Sequence, residues 1–416
     1  MPADPDSAKN DDNSNPRRTL VVGGFAHFVH DGFTDCIYVL LPLWAAAFAL
    51  NHAEVGTLKM VMTGTLAAAQ VPAGIIAERY GERVVLTIGT VLAGVGYILL
   101  GWAGGFLGLV GFLGVAGVGC ATQHPLVSSI ISRAYAGAGR RAALGTYNFT
   151  GDLGKVAAPA AVAACAATYG WPSSTIAYGA FAVLSAVVVF VLLPKSPTPI
   201  SEPEPAPASV PSEDIAQQTG WGIVDPRGYA TLAAIGMIDS GMRLGFLTFV
   251  PFLLIEKGAA VETLGVALAL VFAGGAAGKL VCGHIAERVG ILKTVILTEA
   301  ATGALMVTII ALPLESTLFV LPVFGVALNG TSSVLYGTVG DFVDGARQAR
   351  AYGLFYTLGI GAGAVAPILF GIVSDLWNVR VALMAIAVSV VFILPLCQPL
   401  RSSLRRVDGE GPRSEV

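Results

Sequence analysis

Phe25–Trp44 reads FAHFVHDGFTDCIYVLLPLW. A run of this length and character can cross a bilayer core as a helix. Four of its side chains do not belong in lipid: His27, His30, Asp31 and Asp35. An ionisable group at membrane depth costs on the order of a few kcal/mol, so such groups face protein or a wet cavity. At helical spacing His27, Asp31 and Asp35 stand one turn apart on one face, with His30 beside them. A titratable cluster in a wet membrane cavity points to proton-linked transport. The plainer alternative is a polar seam that ties helices together, and two carboxylates with two imidazoles are more than a seam needs.

Composition sets the class. Hydrophobic residues make up 55% of the 416 and charged residues 12%, about half the roughly 25% usual in soluble proteins. Mean hydropathy is +0.73. The chain therefore reads as an all-α polytopic membrane protein. Net charge is −3, from 24 basic and 27 acidic residues, which gives no footing for nucleic acid. Cys36, Cys120, Cys165, Cys282 and Cys397 all lie in apolar stretches without a CxxC pair, and read as small packing residues rather than metal ligands or disulfides. No cofactor is expected. Residues 1–18 are polar, end in Arg17-Arg18, and lead into an apolar stretch with no small-residue cleavage site after it, so the first helix is expected to stay in the mature protein.

Twelve candidate spans follow, at about 20–46, 55–77, 84–103, 106–132, 142–168, 173–193, 229–255, 262–286, 291–313, 316–341, 350–373 and 378–400. The spans at 84–103, 173–193, 291–313 and 378–400 carry almost no charge apart from Glu299 and read as the lipid-facing set. A Pro-rich and acidic linker, 195–228, divides the spans six and six. The expected organisation is an N-terminal tail (1–19), a first bundle (20–194), the linker, a second bundle (229–400) and a C-terminal tail (401–416). With an even span count, eighteen of the 24 basic residues fall on the side of the termini, and only Lys59, Lys257 and Arg380 on the other. That bias places both termini in the cytoplasm. Lys155, Arg243 and Lys279 remain inside spans.

The halves repeat. A shift of 208 or 209 residues brings Asp31 onto Asp239, Pro42 onto Pro251, Ala77-Glu78-Arg79 onto Ala286-Glu287-Arg288, Gly151 onto Gly359 and Ala158-Pro159 onto Ala366-Pro367. Both halves have six spans and hence one orientation. A parallel repeat of this kind places a substrate site near the membrane midplane, between the two bundles.

After the second span, Gly74-Ile-Ile-Ala-Glu78-Arg79-Tyr-Gly81-Glu82-Arg83 resembles the loop signature of the major facilitator superfamily, and a degenerate copy stands at Gly283–Gly290. Glu78 replaces the usual Asp, and Glu82 a usual basic residue. The resemblance covers residues 20–400. It implies a major facilitator fold of two six-helix bundles and alternating access, with Gly74, Glu78, Arg79, Gly81 and Arg83 as gating-loop residues. A narrower resemblance, to the fosmidomycin-resistance branch, rests on His27-Phe-Val-His30-Asp31 and on Gly117-Val-Gly119-Cys-Ala-Thr-Gln123-His124-Pro125. It implies a bacterial inner-membrane carrier that exports small anionic or amphiphilic compounds, including drugs, in exchange for protons.

The residues name candidate roles. Asp31, then Asp35, are the expected protonation sites, tuned or relayed to by His30 and His27. Gln123 and His124 put several polar groups at one depth beside Pro125, which bends its helix; otherwise the histidine only satisfies the carbonyl that the proline frees. Asp152 and Lys155, at i,i+3, form an internal pair, or Lys155 meets a substrate anion or the first-span carboxylates. Asp239 and Arg243, at i,i+4, pair at rest, with Arg243 as an anion contact. Lys279 is a further cavity candidate, and Glu299 is ambiguous. Expected partners are a small-molecule substrate, protons and the bilayer, with the chain working as a monomer. The same residues serve a symporter that imports an organic anion, and the His/Asp cluster leaves a metal-chelate carrier open. No HExxH, GxSxG or phosphate loop supports an enzyme.

Overall fold

A computed structural model of the protein describes residues 15–135, 138–194, 222–343 and 348–407. Residues 195–221 of the expected linker, 1–14 of the N-terminal tail and 408–416 of the C-terminal tail lie outside the described residues. The described chain is helical: α1 (Pro16–Phe48), α2 (His52–Tyr80), α3 (Glu82–Leu100), α4 (Phe106–Cys120), α5 (Gln123–Ala134), α6 (Ala138–Leu192), α7 (Pro226–Glu256), α8 (Val261–Val289), α9 (Ile291–Ala311), α10 (Leu314–Val339), α11 (Gln348–Leu376), α12 (Val379–Ser389) and α13 (Ile393–Val407).

Backbone chemistry sets the breaks. α6 runs 55 residues but turns at Gly170, whose φ of 81° and ψ of 159° no helix contains, and Pro172 follows. Its two arms are the fifth and sixth spans. α4 and α5 share one span, interrupted at Ala121-Thr122. Pro125 lacks an N–H, and its ring crowds the carbonyl four residues back, that of Ala121. A 3₁₀ turn at Val390–Phe392 joins α12 to α13 in the last span. Eleven helical runs are long and apolar enough to cross a membrane. With α6 counted as two, the described residues hold the twelve spans read from the sequence.

The repeat is visible in the backbone. α2 gives way to α3 at Gly81 (φ 87°, ψ 138°), and α8 to α9 at Gly290 (φ 89°, ψ 152°). Side-chain-bearing residues avoid this positive-φ region, so each half makes the same turn with a glycine at the same place in the repeat. Pro42 lies inside α1 and Pro251 inside α7 in the same way.

The chain forms two compact units. One comprises Met1–Leu40 and Val61–Glu202, the other Leu41–Met60 and Pro203–Val416. Small residues hold the helices close in both. In the first unit, a Cβ at Gly154 would collide with the Phe28 carbonyl, and one at Gly96 would lie 2.8 Å from the Ala116 backbone. In the second, Gly274 and Gly278 of α8 lie against the carbonyls of Pro322 and Val326 on α10. There too the Asp375 carboxylate at the end of α11 accepts the first backbone N–H groups of α2, from His52 at 2.7 Å and Ala53 at 2.9 Å.

The charge-poor spans do turn large apolar side chains outward, among them Ile88, Leu184, Leu297 and Phe392, but α2 and α11 do so equally with Val71, Ile75, Leu369 and Leu376. Lack of charge therefore does not single out the outward-facing helices. Lys59, placed on the far side in the charge bias, is buried within α2. All five cysteines are free.

Candidate functional site

The polar face of α1 meets α5 and α6 in the first unit. His27 Nδ1 lies 2.8 Å from the Tyr147 carbonyl oxygen, and its ring stacks on that of Tyr147 with centroids 4.1 Å apart. A carbonyl only accepts, so Nδ1 carries a hydrogen. A neutral His27 would then present a lone pair at Nε2, and Nε2 is 3.2 Å from Asp31 Oδ2. The two lie at ion-pair distance, without a hydrogen bond of ordinary geometry between them.

Two further groups converge on the same carboxyl. Lys155 Nζ is 3.4 Å from Asp31 Oδ2 and 3.9 Å from Asp35 Oδ2. His124 Nε2 is 3.5 Å from Asp31 Oδ1. Asp31 is 6% exposed, whereas the side chains of Lys155 and His124 are 29% and 46% exposed. The acid is thus sealed below two nitrogen-bearing groups that reach open space. Gly151 makes this possible, since a Cβ there would stand 2.6 Å from His27 Nε2 and 2.7 Å from Asp31 Oδ2.

Lys155 thus reaches the first-span carboxylates, as one of the readings offered for it has it; Asp152 is buried on the same helix and makes contacts of its own. His124 likewise meets Asp31 rather than only answering the carbonyl that Pro125 frees. Gln123 is fully buried, neither amide atom has a hydrogen bond of ordinary geometry among the described residues, and it faces the Tyr147 hydroxyl together with Ser128. His30 stands apart. Its Nε2 lies 2.8 Å from Thr90 Oγ1 on α3. Thr90 spends its only hydrogen on the Leu86 carbonyl, so His30 donates to it. His30 therefore belongs to the α1–α3 contact. α1 is pinned further by Tyr97 and Tyr178, whose hydroxyls donate to the carbonyls of Phe33 and Val29.

In the second unit, Asp239 Oδ2 and Arg243 Nη2 are 3.8 Å apart on α7, with the Asp239 side chain buried. Glu299 of α9 turns inward to this pair, facing Asp239, Arg243 and Thr331. Its own span hinted at it only as an acid among apolar neighbours. Tyr147 was not foreseen, because its use of a backbone carbonyl leaves no mark in the sequence. Lys279 is half-buried on α8 and makes contacts of its own.

At the α2–α3 turn, Glu82 pairs with Arg133 at the end of α5. Arg83 donates to the Leu193 carbonyl at 3.3 Å and lies over the Phe190 ring. The unusual acid of the signature loop has thus found a basic partner on α5. Gly74, Glu78 and Arg79 fall in the last turns of α2.

The Major Facilitator Superfamily model matches residues 23–322 and 229–413, and the chain belongs to that family. It is a multi-pass membrane transporter and not an enzyme. It is 26% identical to a gallate transporter of Pseudomonas putida, with 85% of this chain and 84% of that protein covered. It is also 26% identical to a probable sulfoacetate transporter of Cupriavidus necator, over 80% and 82%. A probable 4-methylmuconolactone transporter of Cupriavidus pinatubonensis is 24% identical, over 79% and 77%. Among solved structures, a bacterial homologue of the human lysosomal transporter Spinster, inward-facing and unoccupied, superimposes with a TM-score of 0.75 at 16% identity, covering 96% of this chain and 99% of that one. The nucleoside transporter NupG gives 0.74 at 14%, covering 94% and 100%.

Proposed function

We propose that this transporter moves a small organic anion together with protons across the bacterial inner membrane by alternating access, as a monomer with cytoplasmic termini. The observation that carries this reading is the Asp31 carboxyl, held between His27 and Lys155. At 3.4 Å and an effective dielectric of about 20, the Lys155–Asp31 attraction is on the order of 5 kcal/mol. Solvent at the partly exposed ammonium cuts the usable part to about 1–2 kcal/mol, still roughly tenfold in affinity. A proton arriving at Asp31 cancels that attraction and frees Lys155 to hold an anion. By linkage, a bound anion then favours the proton in return. Proton and anion help each other bind, which is the requirement for moving in the same direction.

The names of the relatives agree with this cargo, since gallate and sulfoacetate are organic anions. Exchange of a drug for protons, the first reading of the sequence, needs proton and cargo to exclude one another at Asp31. A cationic compound would do so, but an anion would not. The test is flux into proteoliposomes under an imposed pH gradient, with gallate and sulfoacetate as first probes and a pH-sensitive dye in the lumen. Anion accumulation with protons entering alongside is the expected result. Protons moving opposite to the cargo would replace this reading with efflux by antiport.

A further inference from the structure

Among its described residues the second unit holds two buried acids, Asp239 and Glu299, with the Arg243 guanidinium nearby. Asp239 is 3% exposed and Glu299 2%. Arg243 reaches Asp239 at 3.8 Å. Glu299 comes from a different helix, and its carboxyl faces Asp239. Both of its oxygens are shut off from solvent, and among the described residues neither has a hydrogen bond of ordinary geometry. An ionised carboxylate in that condition would lie next to a second carboxylate, with one cation for the two. A single proton removes the conflict, because one acid, one carboxylate and one guanidinium sum to zero charge.

We propose that Glu299 and Asp239 share one proton in the resting protein, which makes the C-terminal half a second proton-binding site. The groups that face the pair are Arg243 on α7, Thr331 on α10 and Cys397 on α13, with Tyr336 of α10 near Arg243 and Asp239. None of these is a further cation. The proton comes from water at the Arg243 side, the partly exposed edge of the cluster, and bonds to a carboxyl oxygen of either acid. Where the anion reading above holds, an anion on Arg243 draws that charge away from Asp239, and a second proton follows onto Asp239.

Infrared spectroscopy of the purified full-length protein at neutral pH tests the shared proton without any substrate. A protonated carboxyl has a C=O stretch apart from the carboxylate and amide bands, and it shifts in deuterium oxide. The Asp31→Asn background removes the first site from the spectrum. Adding Glu299→Gln should abolish the intensity of one protonated carboxyl, because Asp239 left alone ionises against Arg243. Adding Asp239→Asn should abolish it as well, because Glu299 then takes Arg243 as its counter-ion. Spectra unchanged by Glu299→Gln would mean that Glu299 is ionised and would overturn the proposal. A band that survives Asp239→Asn but not Glu299→Gln would mean that Glu299 holds its own proton, and would overturn the sharing. Failure here leaves coupling at Asp31 untouched, and failure of coupling at Asp31 leaves this result standing.

Discussion

Asp31 and Asp239 occupy the same place in the repeat, and their surroundings have diverged. Around Asp31 the nitrogen-bearing partners come from other helices, His124 on α5 and Lys155 on α6, in addition to His27 one turn away. Around Asp239 the cation lies on its own helix, and what arrives from another helix is a second acid, Glu299. Gly151 is wedged against His27 and Asp31, whereas its counterpart Gly359 has open space where a Cβ would go. The glycine turns at 81 and 290 share their backbone conformation, with φ of 87° and 89° and ψ of 138° and 152°. Duplication kept the scaffold and let the chemistry drift. For the proposed coupling the asymmetry matters: relative movement of helices strains a salt link between them, and leaves an i,i+4 pair on one helix in place.

The largest effect expected from this contrast is at the first aspartate. Asp31→Asn should reduce pH-driven flux by about two orders of magnitude or more, the range seen when a group that must exchange a proton is lost. Asp31→Glu should restore part of it. Flux into proteoliposomes with and without a pH gradient is the measurement, with thermal melting to show that the fold survives. Undiminished gradient-driven flux in Asp31→Asn would remove Asp31 from the mechanism.

Lys155 comes next. Lys155→Met removes the ammonium that reaches both Asp31 and Asp35 and should cost about 1–3 kcal/mol of stability, less than a fully buried pair because Lys155 is partly exposed. The same change should weaken anion binding about tenfold. Lys155→Arg should keep most of the stability. Arg243→Met is the matching change in the other half and should alter melting less than Lys155→Met, because a further proton can neutralise Asp239. Equal losses at both sites would argue that the two clusters do the same job.

A smaller effect separates the paired glycines. Gly151→Ala forces His27 and Asp31 to shift by several tenths of an ångström, and should slow transport about tenfold with little change in substrate affinity. Gly359→Ala meets nothing, and should stabilise by about 0.5–1 kcal/mol through the better helix propensity of alanine. The sign of the melting shift, read beside transport rate, decides whether the crowding at Gly151 is specific to the first half.

How far the sequence reaches follows the same divide. Spans, turns and the two-fold repeat were legible because they depend on hydrophobic length and on glycine and proline, which act locally. The His27–Asp31–Asp35 face was legible because it lies within one helix. His30 could be named from the sequence but not its hydrogen-bond partner: neighbours in a helix stand about 100° apart, enough to send His30 to Thr90 on α3 while Asp31 faces α6. Lys155 was legible only as a choice of partners, since the choice depends on how closely α1 and α6 approach at Gly151 and Gly154. Glu299 was harder still. An acid among apolar residues must turn inward, but its target is set by the packing of α9 on its neighbours, which no spacing along the chain records.

The smallest expected effect tests the part of the molecule that stayed symmetric. Gly81 and Gly290 both sit at positive φ with nothing near the position of a Cβ. Alanine at either place meets no steric neighbour, and its cost is backbone strain alone, about 1–2 kcal/mol. Gly81→Ala and Gly290→Ala should therefore lower the melting temperature by similar amounts. If Gly81→Ala also impairs transport and Gly290→Ala does not, the difference belongs to what surrounds the first turn. There Glu82 is tied to Arg133 on α5, and Arg83 to the end of α6. A shifted Gly81 would pass its displacement to α5, the helix that presents His124 to Asp31. Equal effects on transport would instead mean that the turn acts only as a hinge-free connector, and that the asymmetry between the halves begins at the polar clusters.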